Sequence, residues 1–167
     1  VTPMAPKKTV VVGSNGQLGR ALMALLPGAV GLARPDVDLT DEASLDAVPW
    51  SQVGLVINAA AYTAVDAAET EQGRRDCWAI NVTGLGRLVE KARAHRIPLV
   101  HVSSDYVFDG AAEVHDEDEP LSPLGVYGQT KAAGEALVAT LPRHWIVRTS
   151  WVIGDGLDLV PFASRAY

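Results

Sequence analysis

Cysteine is almost missing from this chain. Cys77 stands alone among 167 residues, so no internal disulfide can form. Positive charge is also scarce: 14 Lys and Arg face 20 Asp and Glu, a net charge of -6. That balance argues against nucleic acid or an anionic membrane as the main partner and favours a small molecule. Long apolar runs are lacking too. The most apolar stretch, GLVINAAAYTAV, is interrupted by Asn58 and ends at Asp66, short of the roughly 20 residues that span a bilayer. The N-terminus holds no basic-then-apolar signal segment, and a cytoplasmic protein is expected. The four histidines, His95, His101, His115 and His144, are not spaced as metal ligands and Cys77 is near none of them, so no metal site is expected. His101, inside LVHVSS, and Cys77, beside Trp78, read as packed core residues. Internal repeats are absent.

What is present is a strand–helix alternation. TVVVG precedes GQLGRALMALL, LVINAA precedes a long polar-faced segment, and PLVHVSS precedes YGQTKAAGEALVATL and then HWIVRTS. Short β-branched runs between helical stretches predict an α/β fold: a Rossmann-type doubly wound parallel sheet covered on both faces. Hydrophobic residues make up 48% of the chain, enough for one domain with a core and too few residues for two. Residues 1–8, VTPMAPKK, read as a tail or linker; residues 9–150 as the nucleotide-binding domain; residues 151–167 as the start or remnant of a further region. In the first helix Leu18, Leu22, Leu25 and Leu26 share a stripe with Ala21 that should pack on the sheet, with Arg20 outward. Asp41 is a natural N-cap for EASLDAV. Glu71 to Arg96 reads as one long amphipathic helix, and the acidic run Glu113 to Pro120 as a solvated connection.

Several short stretches carry the chemistry. VVVGSNGQLG sets Gly13, Gly16 and Gly19 between the first strand and the first helix, where glycine permits a tight turn and close approach of backbone to a pyrophosphate. In that context the spacing points to a dinucleotide, with a structural turn as the alternative. The acid that often binds the adenosine ribose at the end of the second strand is missing. Ala33 and Arg34 stand there instead, and Arg34 can pair with a 2′-phosphate, favouring NADPH with NADH as the alternative; otherwise it is a solvent-facing Arg. Asp38 and Leu39 follow where they can border the adenine. Ala59, Ala60 and Ala61 end a strand with side chains small enough to let a cofactor cross it, or simply to pack. Asn81 is polar in apolar surroundings and can hold a water or a backbone carbonyl near Lys131, or be an ordinary satisfied Asn.

The strand LVHVSS ends in Ser103, Ser104 and Asp105, at the strand ends where open α/β sheets bind ligands. VYGQTKAAGE then places Tyr127 and Lys131 at i and i+4, on one helix face. A hydride delivered to a carbonyl carbon leaves charge on oxygen: Ser104 can supply a hydrogen bond, Tyr127 a proton, and Lys131 can lower the phenol pKa. The plainer alternative is a Tyr packed on a Lys stem.

The glycine turn, Ser104 and the Tyr127-x-x-x-Lys131 pair together resemble the extended short-chain dehydrogenase/reductase family. NGQLGRAL, VINAAAYTAVDAAE, AINVTG, VSSDYVFDG, VYGQTKAAGE and VRTSWV are similar, within it, to the dTDP-4-dehydrorhamnose reductases, from about Thr9 to Gly156. The resemblance implies NADPH- or NADH-dependent reduction of the 4-keto group of a dTDP-sugar in dTDP-rhamnose synthesis. It implies Ser104, Tyr127 and Lys131 as catalytic. It implies Gly13, Asn15, Gly16, Gln17, Leu18, Asp38, Leu39, Ala59, Ala60, Ala61, Tyr62, Asn81, Tyr127 and Lys131 along the cofactor. Thr63, Val65, Asp66, Ser104, Asp105 and Trp151 would meet the sugar nucleotide, although Trp151 also suits a core aromatic. Members of the family commonly have Thr at the place of Ser104, and either hydroxyl serves. LDLVPFASRAY leaves the family pattern after WVIGDG, so most of the smaller C-terminal substrate region is expected to be absent from this chain. A homodimer and fusion to another domain are both compatible with the sequence. The competing readings are a nucleotide-sugar epimerase or dehydratase of the same fold, and a noncatalytic NADP-binding regulatory subunit like the methionine adenosyltransferase β subunit.

Overall fold

The computed structural model describes residues 7–152. Five strands form one sheet: β1 (Lys8–Val12), β2 (Val30–Leu32), β3 (Val53–Asn58), β4 (Leu99–Ser104) and β5 (His144–Thr149). All pair in parallel, in the order β2-β1-β3-β4-β5. The chain therefore goes from β1 to one side and returns past it to β3, which leaves a switch point between the carboxyl ends of β1 and β3, the place where such sheets bind ligands. β1 begins at Lys8, which pairs with Val53, so the ordered strand reaches one residue into the segment expected to be a tail.

The helices are α1 (Gln17–Leu25), α2 (Glu42–Asp46), α3 (Glu71–Trp78), α4 (Leu85–Ala94) and α5 (Val126–Val138). Val10, Val12, Val56 and Leu99 point to one face and pack with Leu85, Leu88, Val89 and Val138 from α4 and α5 into the main core. Right-handed crossovers put α1 on the opposite face, where a Cβ at Gly31 would meet Met23 at 3.5 Å. Among the described residues α1 has that face nearly to itself. Its expected apolar stripe is consequently only half used: Leu18, Leu22 and Leu26 are partly buried, but Ala21 is exposed and Leu25 is 77% exposed.

Two further expectations meet a different outcome. The segment from Glu71 to Arg96 is not one regular helix, because a π-helical turn, Ala79–Gly84, joins α3 to α4. The acidic run 113–120 is anchored rather than merely solvated. His115 stacks on Phe108 with ring centroids 4.5 Å apart, and Arg148 lies 5.1 Å over the same Phe108 ring while donating to the Glu117 carbonyl at 2.9 Å. Composition shows the charges of such a loop but not the aromatic floor that holds it. The Asp41 cap is as expected, accepting from Ala43 N at 3.0 Å.

Candidate active site

The turn after β1 is shaped by two glycines. Gly13 has φ +81°, and a Cβ there would sit 2.7 Å from the Ala60 backbone; a Cβ at Gly19 would lie 2.1 Å from the Gly13 carbonyl oxygen. The first glycine lets β1 turn against the end of β3, and the second seats α1 on that turn. Gly16 caps α1 without any side-chain bond, and the first turn holds no acidic residue. Its amides remain available to an anion, with the positive end of the helix dipole behind them.

Beside this turn lies a cleft of about 290 Å³. Gly13, Asn15, Gly16, Asp38, Leu39, Ala59, Ala60 and Ala61, all expected along the cofactor, line it. Leu32, Ala33, Arg34, Val37, Thr40 and Ile80 complete much of its wall. Leu32, Val37, Thr40 and Ile80 were not foreseen, because each belongs to a segment whose sequence signals only packing. Arg34 is exposed at the rim, and Asn15 Nδ2 donates to its carbonyl at 3.4 Å. Asp38 turns its carboxylate onto Thr40, accepting from the backbone N at 2.8 Å and from the hydroxyl at 2.7 Å. Those bonds, the backbone one foremost, hold its pKa below the usual value despite partial burial, with help from the Arg34 charge. A cradle of glycine and alanine, free helix amides and an exposed guanidinium suits a phosphorylated dinucleotide.

Gln17 and Leu18 sit on the first turn of α1 and do not line this cleft; the Gln17 amide donates instead to the Val152 carbonyl at 2.9 Å. Tyr62 and Asn81 also lie outside it and are bound to each other. Asn81 Oδ1 accepts from Tyr62 N at 2.8 Å, and its Nδ2 donates to Tyr62 O at 3.2 Å and to Thr130 Oγ1 at 3.0 Å. Asn81 thus holds the Tyr62 backbone from the π-turn, with its polar atoms satisfied by that backbone and Thr130. That wider turn brings its amide to the chain that leaves β3.

The second group gathers at the end of β4. Tyr127 is the second residue of α5, and its ring meets Tyr106 edge-on at 5.6 Å. Ser104, the last residue of β4, donates to Asp105 Oδ1 at 3.0 Å and accepts from Tyr106 N at 3.2 Å. Lys131, one turn below Tyr127, is 2% exposed and gives its ammonium to the Val102 carbonyl at 2.7 Å. Burial lowers its pKa to about 8, partly offset by the Glu135 carboxylate. The expected depression of the Tyr127 pKa is overturned. Burial, the largest influence, pushes the phenol above its usual value of 10, while a hydrogen bond with Ser104 works the other way. The Lys131 ammonium, bonded to the β4 backbone through one of its three donors, does not offset that burial.

Thr63 and Asp66 are exposed and Val65 is half-buried on the segment after β3, Asp105 is exposed beside Ser104, and Trp151 is 52% exposed past β5. His101 is buried, as expected. Its Nδ1 pairs with Asn58 Nδ2 at 3.0 Å, and burial together with the Lys131 charge lowers its pKa to about 3, keeping it neutral. Asn58 Oδ1 in turn accepts from Ala60 N at 3.2 Å, so this histidine supports the cleft wall. Among the described residues no group of His, Cys, Asp and Glu is arranged to hold a metal, and no helix is long and apolar enough to cross a membrane.

The chain is 39% identical over 156 residues to a dTDP-4-dehydrorhamnose reductase of Aggregatibacter actinomycetemcomitans, an alignment covering 89% of this chain and 52% of the relative. Among solved structures it is similar to dTDP-4-dehydrorhamnose reductase from Bacillus anthracis in complex with NADP, with TM-score 0.87 and 32% identity over 98% of this chain and 61% of that one. It is also similar to the Clostridium acetobutylicum enzyme of that name, with TM-score 0.84 and 35% identity over 92% of this chain and 57% of that one. The chain spans about half the length of the curated relatives it matches. The family model described as RmlD substrate binding domain matches residues 7–162, and the chain belongs to that family.

Proposed function

We propose that this chain is the cofactor-binding and catalytic part of an NADPH-dependent dTDP-4-dehydrorhamnose reductase, which reduces the 4-keto group of dTDP-4-dehydro-L-rhamnose to give dTDP-L-rhamnose. The observation that carries the reading is the meeting of Ser104 and Tyr127 over buried Lys131, at the strand ends beside a glycine-lined cleft. The names of the relatives and the NADP bound to the Bacillus anthracis enzyme support it.

NADPH, when bound, supplies the hydride to the keto carbon. Gly13, Gly16 and the first amides of α1 would hold its pyrophosphate, Ala59, Ala60 and Ala61 would leave room for it, and Arg34, exposed at the rim, would pair with its 2′-phosphate. The Ser104 hydroxyl, now given to Asp105, turns to the keto oxygen as charge gathers there, and the Tyr127 hydroxyl delivers the proton. A phenol kept protonated by burial is suited to giving a proton up when a strong base forms beside it. Lys131 has three N–H donors and spends one on Val102, leaving two for a ribose hydroxyl and the phenolic side. By resemblance to the family, Thr63, Val65, Asp66, Asp105 and Trp151 would meet the dTDP-sugar. The compartment inferred is the cytoplasm.

The test is to bind NADPH and NADH to the chain, then add dTDP-4-dehydro-L-rhamnose to the full polypeptide and identify the product. Formation of dTDP-L-rhamnose with one NADPH consumed per product supports the reading. Bound NADPH with no consumption would favour a noncatalytic NADP-binding subunit, and product formed without net NADPH loss would favour an epimerase.

A further inference from the structure

α5 carries the catalytic pair but brings no cap of its own. Its N-cap is Gly125, which offers no side chain, and its first turn holds no acid. The vacant role is filled from 57 residues away: Val126 N donates to Glu69 Oε1 at 2.7 Å, one residue before Tyr127. Gly125 has φ -104° and ψ 169°, an extended conformation that any residue adopts, so its backbone does not require glycine. Its surroundings do. A Cβ at Gly125 would lie 2.9 Å from Glu69 Oε1, and the missing side chain is the space through which the carboxylate reaches the amide.

The element that presents Glu69 is itself fixed. It ends a 3-10 turn, Ala67–Glu69, whose Ala68 is fully buried with Cys77 and Val126, with Tyr62 and Tyr127 packed against that cluster. The same turn continues directly from Thr63, Val65 and Asp66, the residues assigned to the sugar nucleotide. We propose that Glu69 is a positioning residue: by capping α5 it sets the first turn, and with it the place of Tyr127, relative to the segment that meets the sugar. This rests on the reductase reading for its catalytic meaning but not for its geometry. A carboxylate at this end also suits the helix dipole.

Three variants separate the inference from a general loss of structure. Glu69→Ala removes the acceptor, Gly125→Ala displaces it without touching any charge, and Glu69→Gln keeps an oxygen that can accept. In the full polypeptide, Glu69→Ala and Gly125→Ala should each lower kcat roughly tenfold, the worth of one cap expressed in the barrier, with KM for NADPH little changed. Glu69→Gln should recover most of the rate, and the double Ala variant should be no worse than either single one. Hydrogen exchange of the Val126 amide should quicken in both Ala variants and stay slow in the Gln variant. Unchanged kcat in an active parent, or equal slowing in Glu69→Gln and Glu69→Ala, overturns the inference. A parent without turnover is instead a failure of the reductase reading. The Tyr127 phenol titration, followed by NMR, then decides: a shift toward the free value in both Ala variants and none in the Gln variant supports the inference, and no shift in any overturns it.

Discussion

Tyr127 must stay protonated until the keto oxygen needs its proton, and burial, which outweighs the opposing hydrogen bond with Ser104, favours the neutral phenol. Tyr127→Phe should therefore lower turnover by about a thousandfold, the scale of a lost general acid, and leave the NADPH dissociation constant unchanged when measured by fluorescence titration. Arg34→Ala should weaken NADPH about tenfold, as loss of one charge-assisted contact, and leave NADH untouched in the same assay. Lys131 makes a prediction in pH. Its pKa of about 8 lies below the unfolded 10.5, so between those values the unfolded chain binds more protons and stability rises with pH. Cys77 and Tyr127, both shifted upward from 9.0 and 10.0, oppose this beyond about pH 9. Denaturant unfolding should then show a gain from pH 8 to 9 in the parent that Lys131→Met lacks. That Tyr127 and Lys131 lie one turn apart on one helix was legible in the sequence because i, i+4 geometry is fixed by the helix. The destination of the ammonium was not, since Val102 O is a tertiary partner that no spacing encodes.

Elements place these residues, and two of them do so in ways local pattern conceals. The glycine turn was readable because φ +81° and a 2.7 Å approach to Ala60 demand what only glycine gives. Gly13→Ala should abolish NADPH binding, and calorimetry on the folded variant checks it. The π-turn Ala79–Gly84 was hidden, because apolar residues continue at nearly helical spacing through it, and the bond that Asn81 Oδ1 accepts from Tyr62 N is a tertiary contact that spacing does not encode. Asn81→Ala leaves the Tyr62 amide and carbonyl without their partner. It should cost about 2 kcal/mol in chemical unfolding and loosen the Ala59–Tyr62 wall, seen as weaker NADPH binding. The stripe on α1 was misjudged for a different reason: periodicity says which residues can face a sheet, not how much of that sheet the helix covers.

At the scale of the whole molecule, the strand order gives the site its place. The switch point between β1 and β3 holds the cleft, and the end of β4 holds Ser104 one strand away, with α5 leading Tyr127 over it. Alternation of strands and helices made the parallel sheet readable, but not the order of its strands, which is set by where each crossover returns. The degree to which each face is covered was not readable either, because it depends on elements packing from a distance. On the α1 side Trp145 and Val147 of β5 are 56% and 49% exposed, and no described helix lies over them. Measured most directly, the central claim is a single comparison: NADPH oxidation on adding dTDP-4-dehydro-L-rhamnose, followed at the nicotinamide absorbance, for the full polypeptide and its Tyr127→Phe variant. Oxidation by the parent and none by a variant that still binds NADPH is the predicted result; equal oxidation by both would contradict the assignment of Tyr127 as proton donor.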